Sequence, residues 1–245
     1  MSASNISRQI GTNGPTQAQT GRMKGPGLSV VDGDWAPGLL KARIYEQMLL
    51  DIILGELPPM SVLDERLLAE RYAAGLAGVR EALGRLALEG MVVRRPRVGT
   101  VVAPLDIREI EQAFEVRHML EAKTAALAAR NATAEDIEAI TSAFDGAEDA
   151  IAASDFRAML AMDRAFHRAV AHATHNPTLA RFVVSLQNVA TRFWIWAMEK
   201  QSMEGQAEDV RLHRELATAI AGRDAIAAEA AAQRLVGDPP SRSSL

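Results

Sequence analysis

The chain contains no cysteine, which excludes a disulfide framework, a thiolate-held zinc and a thiol nucleophile. That lack suits a reducing compartment without requiring one. Aromatic residues make up only 4% of the sequence, few for a β-sandwich. Alanine is abundant instead, so helices packed closely through small side chains are expected. No stretch approaches the ~18 consecutive apolar residues of a membrane span. No apolar run near the N-terminus marks a secretory signal, and no internal repeat of roughly 20–50 residues is visible.

What is present is an ordinary globular composition. The 245 residues are 48% hydrophobic and 24% charged, enough for one or two domains and a core that needs no covalent staple. The net charge of −4 is unevenly spread. Residues 39–104 carry nine Lys/Arg against eight Asp/Glu, and residues 105–235 carry fourteen against twenty. An acidic total therefore leaves nucleic-acid binding open, provided the basic groups gather on the N-terminal part.

Residues 1–38 are rich in Ser, Gly, Thr, Gln and Asn with scattered proline, and a disordered arm is expected there. Its Arg8, Arg22 and Lys24 either meet DNA phosphates or belong to a solvated tail. Leu40, Ile44, Met48, Ile52 and Ile53 then recur at helical spacing, and Gly55 with Pro58-Pro59 ends that helix. Asp64 opens a short helix with Leu67, Leu68 and Tyr72 expected inward. A third helix follows with Val79, Leu83 and Leu86 as its stripe and Gly90 in the position after its cap. Val92-Val93 and Val101-Val102 read as two short strands, with the basic stretch Arg94 to Gly99 between them. Three helices and a basic hairpin make a winged helix-turn-helix over residues 39–104.

From residue 105 to 235 only helical periodicity is found. Breaks fall near Asn131–Thr133, Ser154, Asn176-Pro177, Gly205 and Gly222, giving an all-α bundle of about six helices and a disordered tail over 236–245. The fold class is thus mainly α, with one small β-hairpin wing. Phe193, Trp194 and Trp196 should supply at least one core or interface residue.

The joint order of these elements and motifs resembles the FadR subgroup of the GntR family of transcription factors. The carriers are VREAL (Val79–Leu83), LALEGMV and RPRVGT in the first part. FEVRHMLE (Phe114–Glu121), MDRAFHRAVAHATHNP (Met162–Pro177) and RLHRELATAIAGRD (Arg211–Asp224) carry it in the second. Together they span about four-fifths of the chain. The resemblance implies a cytoplasmic homodimer that binds a DNA operator of two-fold symmetry. It also implies a C-terminal domain that takes a small carboxylic-acid effector, often beside a divalent metal, and changes DNA affinity, most often as a repressor.

The family's pattern puts DNA contacts on Arg66, on Arg80 at the start of the recognition helix, and on the wing with Arg94, Arg95, Arg97 and Gly99. The alternatives are structural pairing of Arg80 with Glu81 or Glu70, and a merely solvated wing. Arg85 reads as a surface residue pairing with Glu81 or Glu89. One departure stands out. Where the family has Ser-Arg-Thr-Pro, this chain has Gly75-Leu76-Ala77-Gly78. That removes a capping hydroxyl and puts glycine in the first helical turn at a cost of up to ~1 kcal/mol. Weaker or differently specified base reading is expected.

Asp163 and His167 fall within the apolar stripe of their helix, one turn apart, and His213 lies on the inward side of another helix. A buried carboxylate and imidazole need partners, so Asp163, His167 and His213 form a candidate site for Zn²⁺, Ni²⁺, Mn²⁺ or Fe²⁺. The other reading is a metal-free polar cluster. The resemblance implies one more histidine, 22 residues after His213, where this chain has Leu235. Arg117 is a candidate for gripping an acidic effector, or a structural partner of Glu121 or Asp163. Arg192 is a second effector candidate, or a surface residue. His118, His172 and His175 are either extra ligands or exposed, helix-end histidines, the latter being the better reading. Two other functions are carried alongside: an all-α metal-dependent enzyme built on the same three ligands, and a sensor whose DNA reading is impaired.

Overall fold

The computed structural model describes residues 40–198 and 202–237, including their side chains except at 107 and 193–198. The expected arm over 1–38, the tail from 238 on, and the side chains of Phe193, Trp194 and Trp196 lie outside the described residues.

The N-terminal unit begins with α1 (Leu40–Ile53), whose Ile44, Met48, Leu49 and Ile52 are buried. Helix α2 (Glu65–Arg71) starts where Asp64 accepts from the backbone N–H groups of Arg66 and Leu67. Helix α3 (Leu76–Leu88) sets Val79, Leu83 and Leu86 against α1. Gly90, at φ 74°, lets the chain turn out of α3 into the wing. Strands β2 (Val92–Arg95) and β3 (Gly99–Val102) form the hairpin, pairing Val92 with Val102 and Arg95 with Gly99. The structure adds a strand that alternation could not signal. The two-residue β1 (Val62–Leu63) pairs antiparallel with β3 and gives the sheet order β1-β3-β2.

One expectation about this unit is corrected and another is extended. Leu67 does not face inward; it is 65% exposed, and Leu68 alone of α2 is buried. Gly78 has a packing reason as well as a propensity cost. A Cβ built there would lie 3.0 Å from Ile44 Cδ1, so the glycine lets α3 approach α1.

The C-terminal unit holds seven helices among the described residues, one more than expected: α4 (Ile107–Asn131), α5 (Ala134–Thr141), α6 (Ala147–Ala152), α7 (Phe156–His172), α8 (Pro177–Met198), α9 (Met203–Ala221) and α10 (Ala225–Val236). The extra element comes from a turn at Phe144–Gly146, with Gly146 at φ 85°. The break expected near Gly205 falls just before it, between the end of α8 at Met198 and the start of α9 at Met203. Ser202 caps α9 by accepting from the Gly205 N–H, so that glycine sits in the first turn. Thr133 and Asp136 form a reciprocal capping box at α5. The alanine content finds its use here. Ala122, Ala125, Ala126 and Ala129 of α4 are buried, as are Ala228, Ala231 and Ala232 of α10, and these two helices pack side by side. α7 and α9 lie against the same core and carry the polar residues described next.

A candidate metal centre and its link to the winged helix

Asp163 and His167 project from the buried face of α7, and His213 from α9. Their ligand atoms lie within 4.8 Å of one another, and all three residues are buried. Asp163 Oδ1 is 3.5 Å from His167 Nε2 and 3.4 Å from His213 Nε2. Donors held ~2.0–2.2 Å from one cation stand roughly 3.0–3.5 Å apart, so these spacings fit a shared ion.

The hydrogen bonding makes the fit sharper. His213 Nδ1 lies 2.8 Å from the Asp209 carbonyl oxygen, which can only accept, so Nδ1 carries the proton. His213 Nε2 is buried without a hydrogen-bond partner, with its lone pair turned toward a carboxylate oxygen. Two lone pairs in that position need a proton or a cation between them. The remaining polar atoms hold the ligands in place. Gln187 Nε2 donates to Asp163 Oδ2 at 2.8 Å, and His167 Nδ1 faces Glu121 Oε2 at 3.4 Å. Arg117 Nε donates to Glu121 Oε1 at 2.5 Å and its Nη2 donates to Gln187 at 3.3 Å, so one guanidinium braces both arms. Metal-ligating side chains are commonly oriented by such outer partners.

The electrostatics follow from these contacts. Burial alone would raise the Asp163 carboxyl, but the His167 and His213 rings outweigh it and hold it far below the usual range. Burial likewise acts to raise Glu121 and is overcome by Arg117 and His167. Burial would lower His213, yet Asp163 and Asp209 raise it. Asp209 itself is pushed up by burial, only partly offset by His213.

The Arg117–Glu121 pair is the contact foreseen as the alternative to effector binding. Arg192 corrects the surface reading. It is buried on α8 and donates to the Ala103 carbonyl at 2.8 Å. Its described contacts include none of the cluster side chains. Burial pushes its guanidinium down to about 10, against the pull of Glu109. His118, His172 and His175 are exposed, and His175 meets Asp136 at 2.8 Å. Leu235, at the place of the further histidine, is half-buried against the apolar core.

Reading from sequence missed Gln187, Asp209 and the Glu121–His167 contact. Asp209 and Glu121 had a usable signal, since each lies four residues from another member on the same helix face. Gln187 had none.

α7 also meets the winged helix. Arg157, Arg164 and Arg168 share a face and pair with acids of the first unit. Arg164 Nη2 and Arg168 Nη2 donate to the two oxygens of Glu46 at 2.9 and 2.8 Å. Arg157 Nη2 contacts Asp51 at 3.0 Å and Glu56 at 2.5 Å. Arg164 Nη1 donates to Asn188 Oδ1 at 2.5 Å, and Asn188 Nδ2 donates to Glu89 at 3.0 Å. The Tyr45 hydroxyl donates to the same Glu89 oxygen at 2.5 Å. Ligand residues and seam residues therefore alternate along one helix: Asp163 beside Arg164, His167 beside Arg168.

In the first unit, Arg66, Arg80, Arg94, Arg95, Arg97 and Gly99 are all exposed. Arg80 does pair with an acid, but with Glu65 at 2.6 Å rather than Glu81 or Glu70. Arg94, Arg95 and Gly99 lie in the strands, leaving Pro96, Arg97 and Val98 at the tip, with Arg97 at φ 64°. Arg85 is half-buried. It pairs with Glu89 at 3.1 Å and its guanidinium lies 4.4 Å from the centre of the Tyr45 ring. Gly75 caps α3 with no side-chain bond.

A winged helix joined to a helical bundle with a buried Asp/His/His cluster defines a ligand-sensing DNA-binding regulator. The FCD domain family matches residues 112–238, and the bacterial regulatory proteins of the gntR family match residues 40–102. The chain belongs to the FCD-domain branch of the GntR-family regulators. It is 29% identical over 208 residues to the transcriptional repressor GlaR of Escherichia coli, covering 80% of this chain and 92% of that one. It is also 29% identical over 140 residues to a protein described as a D-xylose utilization operon transcriptional repressor of Paenarthrobacter nicotinovorans. That match covers 57% of this chain and 62% of the relative's length. The fold is similar to that of E. coli McbR/YncC, with a TM-score of 0.71 at 21% identity, covering 81% of this chain and 93% of that one.

Proposed function

We propose that the protein is a homodimeric, cytoplasmic repressor whose two winged helices grip a two-fold DNA operator, and whose grip is set by a small carboxylic acid bound at a divalent-metal centre. Residues 39–104 form the DNA-binding domain and residues 105–235 the effector-binding and dimerisation domain. Asp163, His167 and His213 hold the ion, which when bound supplies an electrophilic anchor for a carboxylate. Arg117 stands beside it, its charge already shared with Glu121. Arg66, Arg80, Arg94, Arg95 and Arg97 meet phosphates and base edges, with Gly99 letting the wing backbone come close.

The observation that carries this reading is the arrangement of α7, which presents ligands to the cluster and arginines to α1. A ligand can shift an equilibrium only through different contacts in its two states. Here any displacement of Asp163 or His167 moves Arg164 and Arg168 with it, and so the hold on Glu46. The site binds its ligand and does not transform it. Arg117 is committed to Glu121, and Gln187 to Asp163, so the polar groups around the cluster orient one another.

The test is selection of genomic fragments by the purified protein, with a salt titration. Enrichment of a two-fold site is expected, with affinity falling steeply as salt rises because bound phosphates release their counterions. Adding a divalent ion and candidate acids should then change that affinity. Purely non-specific binding under every condition would overturn the proposal and favour the reading in which Gly75–Gly78 has cost the protein its base reading.

A further inference from the structure

Two polar atoms in the α9 region are buried without a hydrogen-bond partner, His213 Nε2 and Asp209 Oδ2. The first faces Asp163 and belongs to the cluster. The second is not explained by it. Asp209 stands one turn before His213 on the same helix, its side chain is 17% exposed, and Oδ2 lies 3.6 Å from His213 Nδ1. An enclosed carboxylate oxygen with no donor is costly and calls for a reason.

The charges around the cluster supply one. Arg117 and Glu121 cancel as an ion pair. Asp163 and Asp209 remain, and with neutral imidazoles they leave two negative charges in the interior. A divalent cation balances them, where protons on the imidazoles otherwise would. Asp209 sits behind the His213 ring, on the side away from Asp163: its main-chain carbonyl takes the Nδ1 proton, and its carboxylate faces the same nitrogen. A carboxylate behind an imidazole makes the far nitrogen a stronger metal donor. The last helix adds only Leu235, half-buried among apolar side chains.

We propose that Asp209 is a positioning residue of the metal centre, fixing His213 with its proton on Nδ1 and supplying the second negative charge that a divalent cation at Nε2 requires. This rests on the metal reading given above, and the experiment separates the two. The full-length protein is titrated with Zn²⁺ and, separately, Mn²⁺ against a chromogenic chelator, as native protein and as Asp209→Asn, Asp209→Glu and His213→Ala. Asp209→Asn keeps the main-chain carbonyl and removes only the charge. It should weaken ion binding by ~10–100-fold, while Asp209→Glu recovers most of it and His213→Ala abolishes it. Thermal unfolding in excess chelator reports whether each variant is folded. If Asp209→Asn is not, Asp209→Glu against Asp209→Gln decides by the same criterion. Native and charge-removed proteins that bind the ion equally overturn the role of Asp209 and leave the metal reading standing. Native protein that binds neither ion overturns both.

Discussion

Replacing Glu46 by glutamine removes the carboxylate charge shared by Arg164 and Arg168 and one of its two acceptor oxygens, and the two arginines differ in what they lose. The Arg168 side chain is 42% exposed and that of Arg164 only 6%. A solvent-exposed ion pair contributes ~0–1 kcal/mol. Taking the partner from a buried charge costs ~3–5 kcal/mol. Arg164 keeps its bond to Asn188, and Glu46 is itself about one-third exposed, so the loss falls below that range, at ~2–3 kcal/mol. At ~2–4 °C per kcal/mol for a chain of this size, Glu46→Gln should lower the melting temperature by ~5–10 °C. Arg168→Gln should lower it by ~4 °C or less on the same scale.

The pH dependence gives a second check. Burial acts to raise the Glu46 carboxyl, but Arg164 and Arg168 outweigh it, and the folded value lies below the ordinary 4.5. A depressed carboxylate stabilises above its unfolded value and loses that effect as pH falls through the folded one. The gap between native protein and Glu46→Gln should therefore be full at neutral pH and close as the medium is acidified below the ordinary glutamate range. Thermal and urea unfolding followed by circular dichroism measure both. Equal losses in Glu46→Gln and Arg168→Gln, or a gap unchanged in acid, would refute this account of the seam.

Three further outcomes are expected. Arg80→Ala breaks only an exposed pair with Glu65 and should change stability by less than ~1 kcal/mol. It should still weaken DNA binding and, if Arg80 meets a phosphate, reduce the salt slope by about one. Glu65→Gln should act in the opposite sense on affinity, and fluorescence anisotropy reads both. A divalent ion at about one hundred times its dissociation constant should stabilise the protein by ~2.7 kcal/mol, a rise of ~5–10 °C that chelation reverses and His213→Ala prevents. Tyr45→Phe deprives buried Glu89 of its 2.5 Å donor while Asn188 and Arg85 remain, at a cost of ~1–2 kcal/mol seen in urea unfolding.

Much of the candidate site was legible in the sequence because both of its signals are local. Asp163 and His167 are four apart within an apolar stripe, which is the pattern of a polar pair on a buried helix face. His213 beside Leu216 and Ile220 repeats it. The winged helix showed through the caps at Asp64 and Gly90 and through the valine pairs of the hairpin. Errors came where a neighbour distant in sequence decided. Leu67 sits in a helical stripe but has nothing to pack against. Arg192 looked like a surface residue until Ala103 was brought over it. β1 is too short to carry alternation and exists because β3 offers it an edge.

The sequence by itself determined most of the helices and their caps, the hairpin and most of the side chains that turn inward, because periodicity and capping act within a few residues. Only the tertiary structure decided which inward-facing groups meet. It placed α9 so that His213 faces Asp163 across 3.4 Å and put Gln187 of α8 on the other carboxylate oxygen. It also set three arginines of α7 against the acids of α1 and its following turn. Those contacts join residues up to 122 positions apart, and nothing in the local chain specifies them. They exist because burying the alanine faces of the bundle brings together the side chains that satisfy most of its buried polar groups.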